Sequence, residues 1–217
     1  MLRRMSVAAF CTALALPVFA QDTTRRFHHV AGDVYLFQNN FQMSLIVPTT
    51  EGTVRIDPIN AEAGNWLNEN LSENANQPVT HLVYSHSHGD YASGGRAHPD
   101  ATTIAHEDAP DSIDGVVPSM RVGDIHAMEI AGKTFEKANL GGGHDNHLLV
   151  TVVQPENVAF IVDVAAPKRL PFRDFGGANI DDWIGQIETA LTIDFEVLAR
   201  GHGGVGTKTI WQMLLAI

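Results

Sequence analysis

The segment Tyr84-Ser85-His86-Ser87-His88-Gly89-Asp90-Tyr91 holds the densest concentration of chemically capable side chains in this 217-residue sequence. On extended backbone, residues i and i+2 project to the same side, so the imidazoles of His86 and His88 can converge on one ion. Asp90 lies on the turn that follows and can reach a neighbouring position. Imidazole nitrogens and a carboxylate oxygen this close together suit zinc. Two later runs share a grammar, Leu140-Gly141-Gly142-Gly143-His144 and Ala199-Arg200-Gly201-His202-Gly203-Gly204, each placing a His within closely spaced glycines. Between them, Phe160-Ile161-Val162-Asp163 ends an apolar run on an acid, which is costly to bury without a partner. Eleven His beside three Tyr fit the same theme, His being the commonest metal ligand.

These residues need rigid elements behind them, and the hydrophobic spacing supplies candidates. Alternation predicts strands at 33–38, 43–49 and 53–58, a meander with its turn at Glu51-Gly52 and its end at Asp57. Ala61, Ala63, Trp66, Leu67 and Leu71 predict a helix over 60–74, stopped by Pro78. The run 80–86 reads as a short buried strand that delivers His86. Further strands are expected in ATTIAH (101–106) and at 125–131, 147–153 and 158–164, with Pro155-Glu156-Asn157 turning between the last two. Asn179 caps a helix over 179–192 with Ile184, Ile187 and Leu191 on one face. The strand FEVLARGH then leads to His202, and 206–217 reads as helix. Residues 21–29 read as a polar, mobile start. No repeat or linker interrupts the order, so residues 21–217 are expected to form a single α+β domain.

Residues 1–20 read as a secretory signal, with Arg3 and Arg4 before the apolar run Val7–Leu16 and small Val18 and Ala20 at the cleavage point. The expected destination is the periplasm of a Gram-negative cell. Once residues 1–20 are removed, no remaining stretch is long and apolar enough to span a bilayer. Cys11 lies inside the signal, so the mature chain lacks thiolate ligands and cysteine nucleophiles. Beyond residue 20 the chain has 12 Lys+Arg against 25 Asp+Glu, a net −13, which excludes nucleic acid as a natural partner.

In order, Asp57, His86-x-His88-x-Asp90-Tyr91, Gly-His144, Asp163 and Gly-His202 resemble the pattern of the metallo-β-lactamase superfamily, over essentially the whole mature chain. The resemblance implies a four-layer αββα sandwich that brings its ligands to one edge from several strand ends. It implies a first zinc site of His86, His88 and His144, and a second of Asp90 and His202, with Asp163 between or beside the ions. Asp57 is then a supporting acid and not a ligand. One departure stands out. The family usually has His directly after the Asp of HxHxD, where this chain has Tyr91. Some true β-lactamases also lack that His but offer Cys in place of the strand-final Asp, and this chain has neither. One zinc or two per chain are both open.

Zinc on three imidazoles with an open position lowers the pKa of its water from about 15.7 to near 7. The resulting hydroxide attacks a carbonyl, and Asp90, the catalytic residue in this reading, orients the water and carries a proton to the leaving group. The expected substrate is a small-molecule ester, lactone, thioester or amide, β-lactams included. Asp163 is followed by Val164-Ala165-Ala166-Pro167-Lys168, without the closely spaced Lys that the Cys-bearing lactamases use to grip a drug carboxylate. Tyr91 and His147 are the further candidates for contact with metal or substrate. The remaining histidines read as polar (28, 29, 81, 98, 126) or structural (106). The competing reading from another class is a non-catalytic exported metal-binding protein of the same fold.

Overall fold

Strand-period and helix-period segments segregate into two sheets, each flanked by a helix. The computed structural model describes residues 23–71, 77–164 and 178–209. The signal-peptide reading of 1–20, the end of the first predicted helix beyond 71 and the predicted C-terminal helix from 210 lie outside the described residues. The first sheet contains β1 (Arg25–Ala31), β2 (Val34–Asn39), β3 (Gln42–Thr49), β4 (Gly52–Ile56), β6 (Val79–Val83), β7 (Thr102–His106) and β8 (Met120–Val122), in that spatial order. The short β5 (Ile59–Asn60) leads into helix α1 (Ala61–Asn70). Strands β1 to β4 form an antiparallel meander, and β4, β6, β7 and β8 run parallel. The second sheet has the order β14 (Val205–Gly206), β13 (Val197–Arg200), β12 (Val158–Ile161), β11 (Leu149–Gln154), β10 (Lys133–Asn139), β9 (Ile125–Ile130). Within it only β12 and β13 pair in parallel, and helix α3 (Ile180–Thr192) crosses between them.

Period-two alternation sorts the side chains into layers. On β2 and β3, Leu36, Leu45 and Val47 face the second sheet, whereas Phe37 and Ile46 face α1, packing on Ala63 and Leu67. Trp183, Ile187 and Ala190 of α3 close the other side, giving the αββα layering. Fully burying a side chain such as Ile187 contributes about 1.5–3 kcal/mol. Both helices are capped as their first residues demand: Asn60 accepts from Ala63 N at 2.9 Å and Asn179 from Asp182 N at 2.9 Å.

Two segments differ from the sequence expectation. Residues 25–29, read as part of a mobile start, belong to β1, because Phe27 anchors them 5.5 Å from the Phe37 ring and 6.2 Å from Trp66. Between 120 and 140 the chain forms three short strands and not one. Strand β10 reads KTFEKAN, and its inward positions are Phe135 and Lys137, so a buried ammonium conceals the alternation. Desolvation pushes the Lys137 pKa down to about 8.

The two sheets meet at one edge. There the C-terminal ends of β4, β6, β12 and β13 and the loop from β10 to β11 converge, tied by Leu149 N to Ser85 O (2.7 Å) and Met43 N to Gly201 O (2.8 Å). Among the described residues no helix is long and apolar enough to cross a membrane.

Candidate metal centre

Apart from Asp90, which follows His88 on a short helical turn, each chemically capable residue lies just beyond a strand end or in a loop at this edge. Asp57 follows β4, His86 and His88 follow β6, His144 sits in the loop before β11, Asp163 follows β12 and His202 follows β13. Asp57 (φ 64°) and Asp163 (φ 57°) are left-handed, a conformation that costs a non-glycine residue and clusters at functional sites.

The structure brings the six predicted ligands into two groups that share one member. His86, His88, His144 and Asp163 place donor atoms within 4.8 Å of one another, and so do Asp90, Asp163 and His202. In the first group His88 Nδ1 lies 3.0 Å from His144 Nε2, and Asp163 Oδ2 lies 3.3 Å from both His86 Nε2 and His144 Nε2. The other oxygen, Oδ1, is 3.0 Å from His202 Nε2. His86 Nε2 is fully buried without a well-directed hydrogen bond. An orphaned imidazole nitrogen, two nitrogens turned toward each other and a shared carboxylate are what a divalent cation satisfies at once, so the residues fit a metal.

The ionisation pattern follows the geometry. Burial opposes charge on Asp163, but the imidazoles of His144, His202 and His86 around it override that and hold the carboxyl well below its usual range. Burial likewise lowers His86, and the Asp163 carboxylate more than reverses that, leaving the imidazole above its ordinary value. His88 is lowered, first by desolvation and then by His86 and His144 beside it.

Asp57 serves the site from behind. Its Oδ1 accepts from Ser85 N and its Oδ2 from Ser85 Oγ, both at 2.7 Å, and Ser85 Oγ lies 2.9 Å from His86 Nδ1. Both oxygens are thus occupied, consistent with a support role outside the donor groups. Desolvation pushes its pKa up to about 6 against the opposing pull of His86 and Ser85.

The other candidates divide. Tyr91 is fully buried, with its hydroxyl 3.3 Å from both ring nitrogens of His202. His147 does not join either donor group; its Nδ1 lies 2.7 Å from Asp145 Oδ1. Asp145, which sequence reasoning passed over, has its other oxygen 3.9 Å from His88 Nε2, and bonds from His147 help draw its pKa down to about 2 against the effect of burial. Its one signal was its place directly after Gly-His144. Gln186 was also missed; it is a polar residue in the buried stripe Trp183, Gln186, Ile187, Ala190 of α3. His98, read as an ordinary polar position, is buried and accepts from Arg55 Nη1 at 2.8 Å.

No protein-family model matches this sequence, and no curated protein matches it either. Solved structures do. The chain is similar to a metallo-beta-lactamase from Pontibacter korlensis, with TM-score 0.77, 21% identity, and 89% of this chain and 98% of that one covered. It is similar to one from Hirschia baltica (TM-score 0.72, 18% identity, 87% and 94% covered). A third, from Pseudomonas aeruginosa and solved in its mono-zinc form, gives TM-score 0.73 at 15% identity, with 89% and 94% covered. The chain has the metallo-β-lactamase fold.

Proposed function

We propose that this chain is an exported, zinc-dependent hydrolase that cleaves a small-molecule ester, lactone, thioester or amide, β-lactams among the candidates. The observation that carries the reading is the convergence of His86, His88, His144 and Asp163 on one point at a strand-end edge. Likeness to metallo-beta-lactamases, one of them solved in a mono-zinc form, supports it at the level of fold. The signal-like residues 1–20 support export, and a thiol-free mature chain suits an oxidising compartment.

His86, His88 and His144 would hold the first ion, with Asp163 reaching between it and a second position formed with Asp90 and His202. When bound, zinc supplies Lewis acidity for the scissile carbonyl and a water acidified toward neutrality. Asp90 stands exposed in the first turn of the short helix α2 (Gly89–Ala92). Its carboxylate orients the attacking water, takes its proton and delivers it to the departing heteroatom. Asp57, through Ser85, keeps the His86 ring turned so that Nε2 faces Asp163.

The test is metal analysis of the exported protein, combined with turnover of a chromogenic panel of esters, lactones, thioesters and a cephalosporin. Turnover should vanish on chelation, return with zinc and fall with Asp90→Asn. A protein that holds zinc yet turns over nothing in the panel would favour the non-catalytic metal-binding reading.

A further inference from the structure

Gln186 sits on the face of α3 that packs against the second sheet, and it is 0% exposed. An amide in such surroundings is unfavourable unless its atoms are bonded. Here Nε2 donates to Gly141 O at 2.7 Å and to Asp145 O at 2.9 Å, while Oε1 accepts from His144 N at 2.7 Å. Both amide hydrogens and the carbonyl are therefore spent on one loop, 141–145, more than 40 residues away in sequence. Gly143 lies so close that a Cβ there would stand 2.2 Å from Gln186 Cδ, so only glycine lets the loop close over the amide.

We infer that Gln186 is the positioning residue of the third imidazole. By gripping the backbone on both sides of His144 and at His144 itself, it sets where the ring emerges. His144 Nε2 then stands 3.0 Å from His88 Nδ1 and 3.3 Å from Asp163 Oδ2. Gln186 touches neither the donor atoms nor the substrate side; it acts through the loop. The side chain has no equivalent replacement. Glutamate matches its shape and keeps the acceptor for His144 N, but an ionised carboxylate faces the Gly141 and Asp145 carbonyls without a hydrogen to give. Methionine fills the volume and makes none of the three bonds. This inference rests on the metal-centre reading above.

The experiment compares the parent with Gln186→Met, Gln186→Glu and Ile187→Val, the last loosening the same helix without touching the loop. Three readings are taken: zinc affinity by competition, the visible spectrum of the cobalt(II)-loaded protein, and amide exchange at His144 in metal-free protein. Gln186→Met should weaken zinc binding by about 10–100-fold, the range typical of lost supporting partners, and alter the cobalt bands. Gln186→Glu, which sets a buried anion against two carbonyl oxygens, should weaken zinc binding at least as much as Gln186→Met, and Ile187→Val should lower the melting temperature while leaving affinity and spectrum unchanged. In metal-free protein, exchange at His144 should rise in Gln186→Met and not in Ile187→Val. Parent-like affinity and exchange in Gln186→Met, or equal losses in Ile187→Val, would overturn the assignment. A parent that binds no zinc while His144 is protected as described would overturn the metal-centre reading, and the positioning of a ligand with it, leaving only a loop clamp.

Discussion

In the three-imidazole group His86 and His144 are braced from behind, whereas in the group of Asp90, Asp163 and His202 the Asp90 carboxylate stands exposed on looser ground. Asp57 and Ser85 back the His86 ring, Gln186 grips the backbone of His144, and Ser85 O bonds Leu149 N across the two sheets. On the other side, Asp90 is exposed on a single helical turn. His202 lies in a glycine loop that Arg200 straps through Gly203 O and Gly204 O, and its Nδ1 donates to Phe41 O at 3.1 Å. Asp163 belongs to both groups. Donors whose positions are already fixed give up little freedom when an ion arrives, so the braced group should bind first and more tightly. The comparison thus assigns strength to what supports the donors as much as to their identity.

The largest expected effect breaks that asymmetry directly. Removing one braced donor, by His86→Ala or His144→Ala, should abolish tightly held zinc at low micromolar concentration, a larger loss than the 10–100-fold typical of a supporting partner. Asp90→Ala should leave one tight zinc in place, with only the weaker binding lost. Metal analysis after gel filtration checks both. Equal zinc loss from Asp90→Ala and His144→Ala would show that the two groups act as one, and the comparison would fail.

How far these groups were legible in the sequence depends on the range of the signal. His86, His88 and Asp90 lie in one short extended run, and His144, Asp163 and His202 each sit at the punctuation between a strand and a turn, so local pattern alone pointed to them. The layers were legible for the same reason, through period-two alternation at 33–58 and the helical face of 179–192. What supports the donors was not. Gln186 meets its loop across more than 40 residues, and Arg55 finds His98 at a similar separation, contacts that no local spacing announces. Strand β1 was missed because its first five residues, Arg25 to His29, carry a single apolar side chain, Phe27, which anchors them. Strand β10 was missed because a lysine occupies an inward position.

Acid should expose the bracing of the three-imidazole side through a residue remote from the donors. Arg55 is fully buried; its Nε donates to Asp57 O (3.1 Å) and Ser44 Oγ (3.1 Å), its Nη2 to Pro58 O (2.7 Å) and its Nη1 to His98 Nε2 (2.8 Å). This guanidinium therefore holds the turn that carries Asp57. Burial, and then the Arg55 charge, push the His98 pKa down from 6.5 to about 3. A depressed histidine stays neutral in the folded protein while the unfolded chain takes up a proton. Its contribution is thus complete above pH 6.5 and declines as the pH falls toward 3. The decline attributable to His98 should reach about 2 kcal/mol by pH 5, with a ceiling of roughly 5 kcal/mol at the lower end. Urea unfolding of metal-free protein from pH 7 to pH 4 should show this loss in the parent and a flatter profile in His98→Gln. Parallel profiles for the two proteins would remove His98 and Arg55 from the bracing.

The smallest effect concerns Tyr91, which stands where the resemblance led one to expect a histidine of the looser group. Its ring is fully buried, 5.6 Å from the His86 ring and 5.4 Å from that of His202, and a Cβ on Gly201 would stand 2.7 Å from its hydroxyl. Burial, reinforced by Asp163, Asp57 and Asp90, raises its pKa well above 10. In the metal-free protein the phenol therefore stays protonated at neutral pH. It is not a well-directed partner of His202, since its hydroxyl lies the same 3.3 Å from both ring nitrogens. Tyr91→Phe should accordingly leave zinc content intact and change affinity at the weaker position by roughly tenfold or less, the scale of one net hydrogen bond. Tyr91→His adds an imidazole beside Asp90 and His202, and should tighten that position toward the strength of the other. Calorimetric zinc titration of the three proteins reads this as two unequal steps, or one, converging only in Tyr91→His. Two equal tight steps in the parent, or a zinc lost with the phenol hydroxyl, would make Tyr91 a ligand and place the asymmetry elsewhere.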